Sequence, residues 1–272
     1  MARPKGLNSR VEGILRDCTH QPRLRARTPA ALHDFRTSTR RLQAALSALE
    51  GLCKPRLRVL RHQISSLRKK TNRARDREVL LEIFKDTLSF TEFQKWTIRH
   101  PSFARPECHG NPGFPESNQL RKLLSSIDQE VFSKIRAVSA RKIQKTIREE
   151  IGKQSTRLRR LSSKIKKDGL TQESIHPTRI QAKKLRYELE LFGWLTPDSR
   201  KSLKKILNRL REIQDLLGEL HDLDMAIGKL REDRMLKRSQ RKSLVARLNQ
   251  KRNKISRSGL RAVKKLNPGK TL

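Results

Sequence analysis

IHPTRIQAKKLRYELELF, residues 175–192, carries one histidine and then Arg179, Lys183, Lys184 and Arg186 within ten residues. Its Leu, Ile, Tyr and Phe residues suffice to bury one face of a helix. A packed helix with so many cations beside its buried stripe is informative only if the pattern recurs, and it does. LHDFRTSTRRLQAAL, from Leu32, aligns with IHPTRIQAKKLRYEL, from Ile175, at an offset of 143. That offset sets His33 on His176, Arg36 on Arg179, Arg40 on Lys183, Arg41 on Lys184 and Leu42 on Leu185. The next segment repeats at an offset of 146: Leu57, Leu60, Ile64 and Leu67 fall on Leu203, Ile206, Leu210 and Ile213, and Asp76 falls on Asp222. The intervening turn absorbs the difference in offset. Two diverged copies of one helical hairpin explain the pattern. The chain is therefore expected to be all-α and built by tandem duplication. The copies occupy residues 1–150 and 151–272, the second with a basic tail, and each is expected to form a bundle of about four helices.

The rest of the chain agrees with helices. A short helix is expected over Leu7–Cys18. Thr28 is placed to cap a helix with Pro29 at its first position, running to about Glu50 and ended by Gly51. Pro55 opens another, in which Leu57, Leu60, Ile64, Leu67, Thr71 and Ala74 form one stripe flanked by Arg61, Arg68 and Arg75. Residues 99–117 hold four prolines and two glycines and read as a loop; the proline-rich connection as a whole extends over 89–117. Ser117 starts a helical pattern reaching about Lys167, with an interruption expected at Gly152 and an end at Asp168-Gly169. Further helices are expected near 172–195, 198–232 and 236–266, before a tail that begins at Asn267. No segment alternates as a strand would.

Of the 272 residues, 65 are Lys or Arg and 27 are Asp or Glu, a formal charge of +38. Hydrophobic content of 34 % beside 34 % charged residues points, by itself, to disorder. The periodicity of the apolar positions points instead to folded helices. A charge of this size repels itself, so the compact state needs an anionic partner or ample counterions. Nucleic acid, polyphosphate and anionic membrane are the candidates. Cys18, Cys53 and Cys108 are odd in number and lack metal-type spacing, which favours a reducing cytosol over a disulfide scaffold. There is no apolar run of about 18 residues and no hydrophobic signal core in MARPKGLNSRVEGIL, so a cytoplasmic location without membrane insertion is expected.

The doubled H-x-x-R-x-x-x-[KR]-[KR]-L signature, at His33–Leu42 and His176–Leu185, resembles the CHAD domain (conserved histidine α-helical domain). The stretch ending at Arg75-Asp76 and IQDLLGELHDL at 213–223 support the resemblance, which spans about residues 7–267. It implies two pseudo-symmetric four-helix bundles with basic residues lining a central cavity, and binding of inorganic polyphosphate. A polyphosphate-binding module of this kind is expected to associate with polyphosphate granules. With no room for a triphosphate-tunnel domain and no ExExK-like strand, the chain resembles a stand-alone member. His221 stands where the first copy has Arg75, which thins the second copy's basic wall there.

On a helix His33, Arg36 and Arg40 share a face, with Arg41 beside them, and His176, Arg179, Lys183 and Lys184 repeat the arrangement. Adjacent cations with no carboxylate four residues away repel one another unless something outside neutralises them. Arg186 extends the second set. The following helices add Arg58, Arg61, Arg68 and Lys69 in the first copy and Lys204, Lys205 and Arg211 in the second. Between Lys54 and Arg77 there are ten Lys or Arg and one acid, Asp76. These sixteen residues are the expected polyphosphate contacts. Arg grips phosphate oxygens with a bidentate fork and Lys supplies a point charge. Polyphosphate has no bases, so sparse aromatics suit it better than they suit a single-stranded nucleic acid. Tyr187, Phe192 and Trp194 read as packing residues.

His33 and His176 admit three readings. They are phosphate contacts protonated by a bound anion, structural residues near a helix start, or metal ligands, the last lacking acidic or thiol partners at ligand spacing. Asp76 and Asp222 are expected to hydrogen-bond a cation on a neighbouring helix; a general base is the alternative. No metal, cofactor or catalytic residue is expected. Three functions compete: a polyphosphate-binding module, a nucleic-acid-binding helical protein, and an enzyme acting on phosphoanhydrides. Net charge alone gives weak nucleic-acid binding at low salt.

Overall fold

The computed structural model describes residues 6–20, 29–101, 117–196 and 200–266. Within these residues the chain forms ten α-helices and no strand. They are α1 (Leu7–His20), α2 (Pro29–Ala48), α3 (Lys54–Lys70), α4 (Asn72–Thr87), α5 (Phe90–Arg99), α6 (Ser117–Ala137), α7 (Ala140–Asp168), α8 (Gln172–Phe192), α9 (Arg200–Glu232) and α10 (Arg238–Lys265). Short 3₁₀ turns, Glu50–Leu52 and Gly193–Leu195, follow the two helices that carry the repeated signature, α2 and α8. The cap expected from Thr28, the loop residues 102–116 with Cys108, and the tail from Asn267 lie outside the described residues.

The expected stripes are the buried ones. Leu57, Leu60, Ile64, Leu67 and Thr71 of the α3 segment face inward, as do Ile206, Leu210 and Ile213 of α9, while Ala74 and Leu203 are half-buried. Phe35, Leu42, Leu46 and Leu49 from α2, and Ile175, Leu185, Leu189 and Phe192 from α8, join the same apolar core. α2 and α8 pack directly on each other, α8 also packs on α7 and α9, and α2 on α1 and α3. α9 continues against α10 and reaches α4.

Two local expectations differ from the structure. The helix from Ser117 breaks after Ala137, not at Gly152. Ser139 is the N-cap of α7 and its hydroxyl accepts from the Lys142 N–H. Gly152 stays helical in open surroundings, where a missing side chain costs propensity but forces no bend. Residues 90–99 are a helix and not part of a loop. Ser89 and Glu92 form a capping box, and Trp96 is buried, edge-on to Phe84 at 4.7 Å between ring centroids.

The two hairpins also differ. In the first, the chain breaks at Thr71 between α3 and α4. In the second, the corresponding residues run on in one helix of 33 residues, α9, about 50 Å long.

Candidate functional site

A cleft of about 760 Å³ opens where α2, α3, α4, α8 and α9 meet. α2 supplies Arg36, Arg40, Gln43 and Ala44; α3 supplies Arg58, Arg61, His62, Ser65 and Arg68. α8 supplies His176, Arg179, Ile180, Lys183, Lys184 and Tyr187, and α9 supplies His221 and Met225. Glu50, Asn72 and Asp76 complete the lining.

The cations fall into two groups. Some have carboxylate partners. Glu50 accepts from Arg58 at 3.3 Å and from Arg61. Lys184 lies 3.4 Å from Glu150 and 3.9 Å from Glu188, one helical turn along α8. Among the described residues, Arg36, Arg40, Arg68, Arg179 and Lys183 have no such partner. Arg36 Nη1 instead donates to the Thr71 hydroxyl at 2.7 Å and to Asn72 Oδ1 at 3.0 Å, at the α3–α4 break. At the equivalent place in the second hairpin, Gly218 stands where Asn72 does. A Cβ on Gly218 would sit 3.4 Å from Arg179 Nε, so the guanidinium lies directly on the backbone of α9. The buried Nε atoms of Arg68 and Arg179 have no hydrogen-bond partner.

Desolvation and mutual repulsion act together on this group. Burial, then the charge of Arg68, hold Arg36 down at about 10. Burial, then Arg36 and Arg68, do the same to Arg40. Burial lowers Arg68 as well. Lys183 is pushed furthest, to about 6, by burial first and then by Arg40, Arg179, Arg186 and Arg68. The guanidiniums remain charged at neutral pH, so the cleft holds concentrated, partly desolvated positive charge.

Nine of the sixteen expected contacts line this cleft: Arg36, Arg40, Arg58, Arg61, Arg68, His176, Arg179, Lys183 and Lys184. The other seven do not. His33 and Lys69 are exposed elsewhere, as are Lys204 and Lys205 on α9. Arg41 lies against α1, where its charge acts on Cys18. Arg186 turns to α9, donating to Gln214 Oε1 at 3.0 Å and pairing with Glu190, which Arg211 shares at 3.1 Å. The pairs Lys184–Glu188 and Arg186–Glu190 correct the reading that these cations lack a carboxylate four residues on.

His176 and His221 meet with ring centroids 5.3 Å apart. Burial, then Arg179, lower the His221 imidazole. Arg75, at the place corresponding to His221, donates to Glu78 at 3.3 Å. Asp76 and Asp222 make no ion pair among the described residues, contrary to expectation. Burial raises the Asp76 carboxyl while Arg36 opposes it. The inter-helix bond expected of them falls to Asp224, which accepts from Arg252 Nε at 2.5 Å. Gln43, Glu50, His62, Ser65, Asn72, Ile180, Tyr187 and Met225 were not anticipated in the site. Glu188, the acid four residues after Lys184, was legible from spacing but does not line the cleft; Glu50, His62, Ser65, Asn72 and Met225 reach it through contacts between segments that no local spacing reveals.

An all-α chain with paired signature helices and a cation-lined cleft between them defines a class of protein. The family model of the CHAD domain matches residues 14–231, and the chain belongs to that family. It is similar to the crystal structure of the CHAD domain from the plant Ricinus communis, with a TM-score of 0.74 at 21 % identity, over 97 % of this chain and 93 % of that one. No curated protein matches the chain. None of the helices among the described residues is long and apolar enough to cross a membrane.

Proposed function

We propose that the chain binds inorganic polyphosphate in the cleft between α2, α3, α8 and α9, and that it binds without turning the polymer over. The observation that carries this reading is the group of five cations without a carboxylate partner: Arg36, Arg40, Arg68, Arg179 and Lys183. Folding brings them together from three helices at an electrostatic cost, and a linear anion with a charge on every phosphate removes that cost. In this reading α2 with α3–α4 and α8 with α9 are the two copies of a duplicated hairpin, the cores of two pseudo-symmetric bundles. Arg36 and Arg179 are their corresponding arms. The chain then acts as a cytoplasmic binding module that associates with polyphosphate granules.

Charge removal tests the assignment. Arg40→Gln, Arg68→Gln and Arg179→Gln should each weaken polyphosphate binding about tenfold, the value of one charge-assisted hydrogen bond in a wet cleft. Lys264→Gln and Lys265→Gln, on the exposed end of α10, should change it less than twofold. Equal losses from both sets would move the site away from the cleft.

A further inference from the structure

Lys183 is the one lysine of the five-cation group. The charges of Arg40 on α2, Arg68 on α3 and Arg179 on α8 itself act on it within the cleft, and that of Arg186, which is paired with Glu190 outside the lining, acts on it from farther along α8; Asp76 and His221 stand on the cleft wall from α4 and α9. It is partly buried and, among the described residues, no carboxylate pairs with it. Lys184 next to it has two such partners. An amine among guanidiniums, which cannot yield their protons, is the group that gives one up.

We propose that Lys183 is a covalent modification site for small acyl phosphates, whose phosphate the surrounding arginines hold while the amine takes the acyl group. The Nζ lone pair attacks the carbonyl carbon and a C–N bond forms. The C–O bond to phosphorus breaks and phosphate leaves with its electron pair. The proton lost by the amine passes to phosphate or water, leaving an amide. No oxidant or metal is required. The inference rests on the cleft's attraction for phosphate but not on polyphosphate being its occupant.

Two effects set the rate. At pH 7.4 an amine lowered to about 6 is almost wholly unprotonated, whereas an ordinary lysine is so at about one part in a thousand. A less basic amine is also a weaker nucleophile, and a Brønsted slope of about 0.4–0.5, as for thiols, returns roughly a hundredfold of that gain. The net advantage is about tenfold, before any gain from anion binding. A single acyl phosphate brings two negative charges against four arginines and leaves the amine in positive surroundings. A long polyphosphate reverses the local sign, reprotonates Lys183 and blocks access.

The experiment is acetylation of the full chain by acetyl phosphate, with rates at each lysine read by peptide mass spectrometry between pH 7 and 9. Lys183 should react at least tenfold faster than exposed Lys204, Lys205 and Lys264 at pH 7.4. Its rate should stay flat with pH while theirs rise about tenfold per unit. Arg40→Gln should slow it, and acetic anhydride, which carries no phosphate, should show the flat pH profile with less selectivity. Reaction at Lys183 no faster than at exposed lysines, or an ordinary lysine pH profile, overturns the proposal. Selective reaction that added polyphosphate fails to suppress upholds the modification site and counts against the polyphosphate reading. Tight polyphosphate binding by a chain whose Lys183 is inert does the reverse.

Discussion

Replacing Arg40 by glutamine should make the unliganded protein more stable and a poorer ligand-binder. Arg40 makes no hydrogen bond or ion pair among the described residues, so the substitution removes a charge and few contacts. Burial and the neighbouring Arg36 and Arg68 take its guanidinium from 12.5 to about 10. At 1.36 kcal/mol per pH unit, holding that charge in the fold costs about 3 kcal/mol. Residual exposure to water and the shorter side chain of glutamine reduce the gain to about 1–2 kcal/mol. For a chain of this size each kcal/mol moves Tm by about 2–4 °C, so a rise of about 2–8 °C is expected at moderate salt. The gain should shrink as salt screens the repulsion. Urea unfolding of the two proteins measures the first quantity, and titration with fluorescent polyphosphate measures the second, expected to weaken about tenfold. A variant that is less stable and binds as well as the parent would refute the reasoning, since it would mean that Arg40 is neutralised within the chain and contributes packing instead.

Other parts of the structure make further predictions. Glu188 is fully buried, neither carboxylate oxygen has a hydrogen-bond partner, and burial raises it to about 8 despite Lys184. Its folded form favours the protonated acid, so stability should be greatest below the ordinary carboxyl range and fall as pH rises from about 4.5 to 8. Glu188→Gln should flatten that fall and gain about 1–3 kcal/mol at pH 8, read by denaturant unfolding across pH. Asp76→Asn removes an acid from the cleft wall and should tighten polyphosphate binding several-fold, measured by the same titration. Thr71→Val deletes the buried hydroxyl that accepts from Arg36 and donates to the Arg68 carbonyl at 2.7 Å. It should cost about 1–3 kcal/mol in thermal or urea unfolding.

The helices were legible because their buried positions recur at three- and four-residue steps, as in Leu57, Leu60, Ile64 and Leu67. The likeness of α2 to α8 was legible because one signature occurs twice. The break after Ala137 was not, because a lone Ser139 cap is a weaker signal than a glycine, and Gly152 sits where the helix faces nothing. Helix α5 was hidden by the proline-rich stretch beside it, although Ser89 and Glu92 carry the spacing of a capping box. Within the site, spacing along one helix placed Arg36, Arg40, Arg179 and Lys183 on inward faces. It misplaced Arg41 and Arg186, which lie one helical step from those faces and turn to α1 and α9. Lys204, Lys205 and Arg211 repeat the charge of α3 but stand exposed on α9, away from the cleft.

Competition at physiological salt tests the central claim most directly. Labelled polyphosphate bound to the full chain is challenged with unlabelled polyphosphate, duplex DNA and RNA at equal phosphate concentration. A cleft that gathers five cations without carboxylate partners predicts that polyphosphate displaces the label at least tenfold more effectively than either nucleic acid, and that Arg40→Gln with Arg179→Gln abolishes the difference. Equal displacement by DNA, or a preference that survives both substitutions, would contradict it.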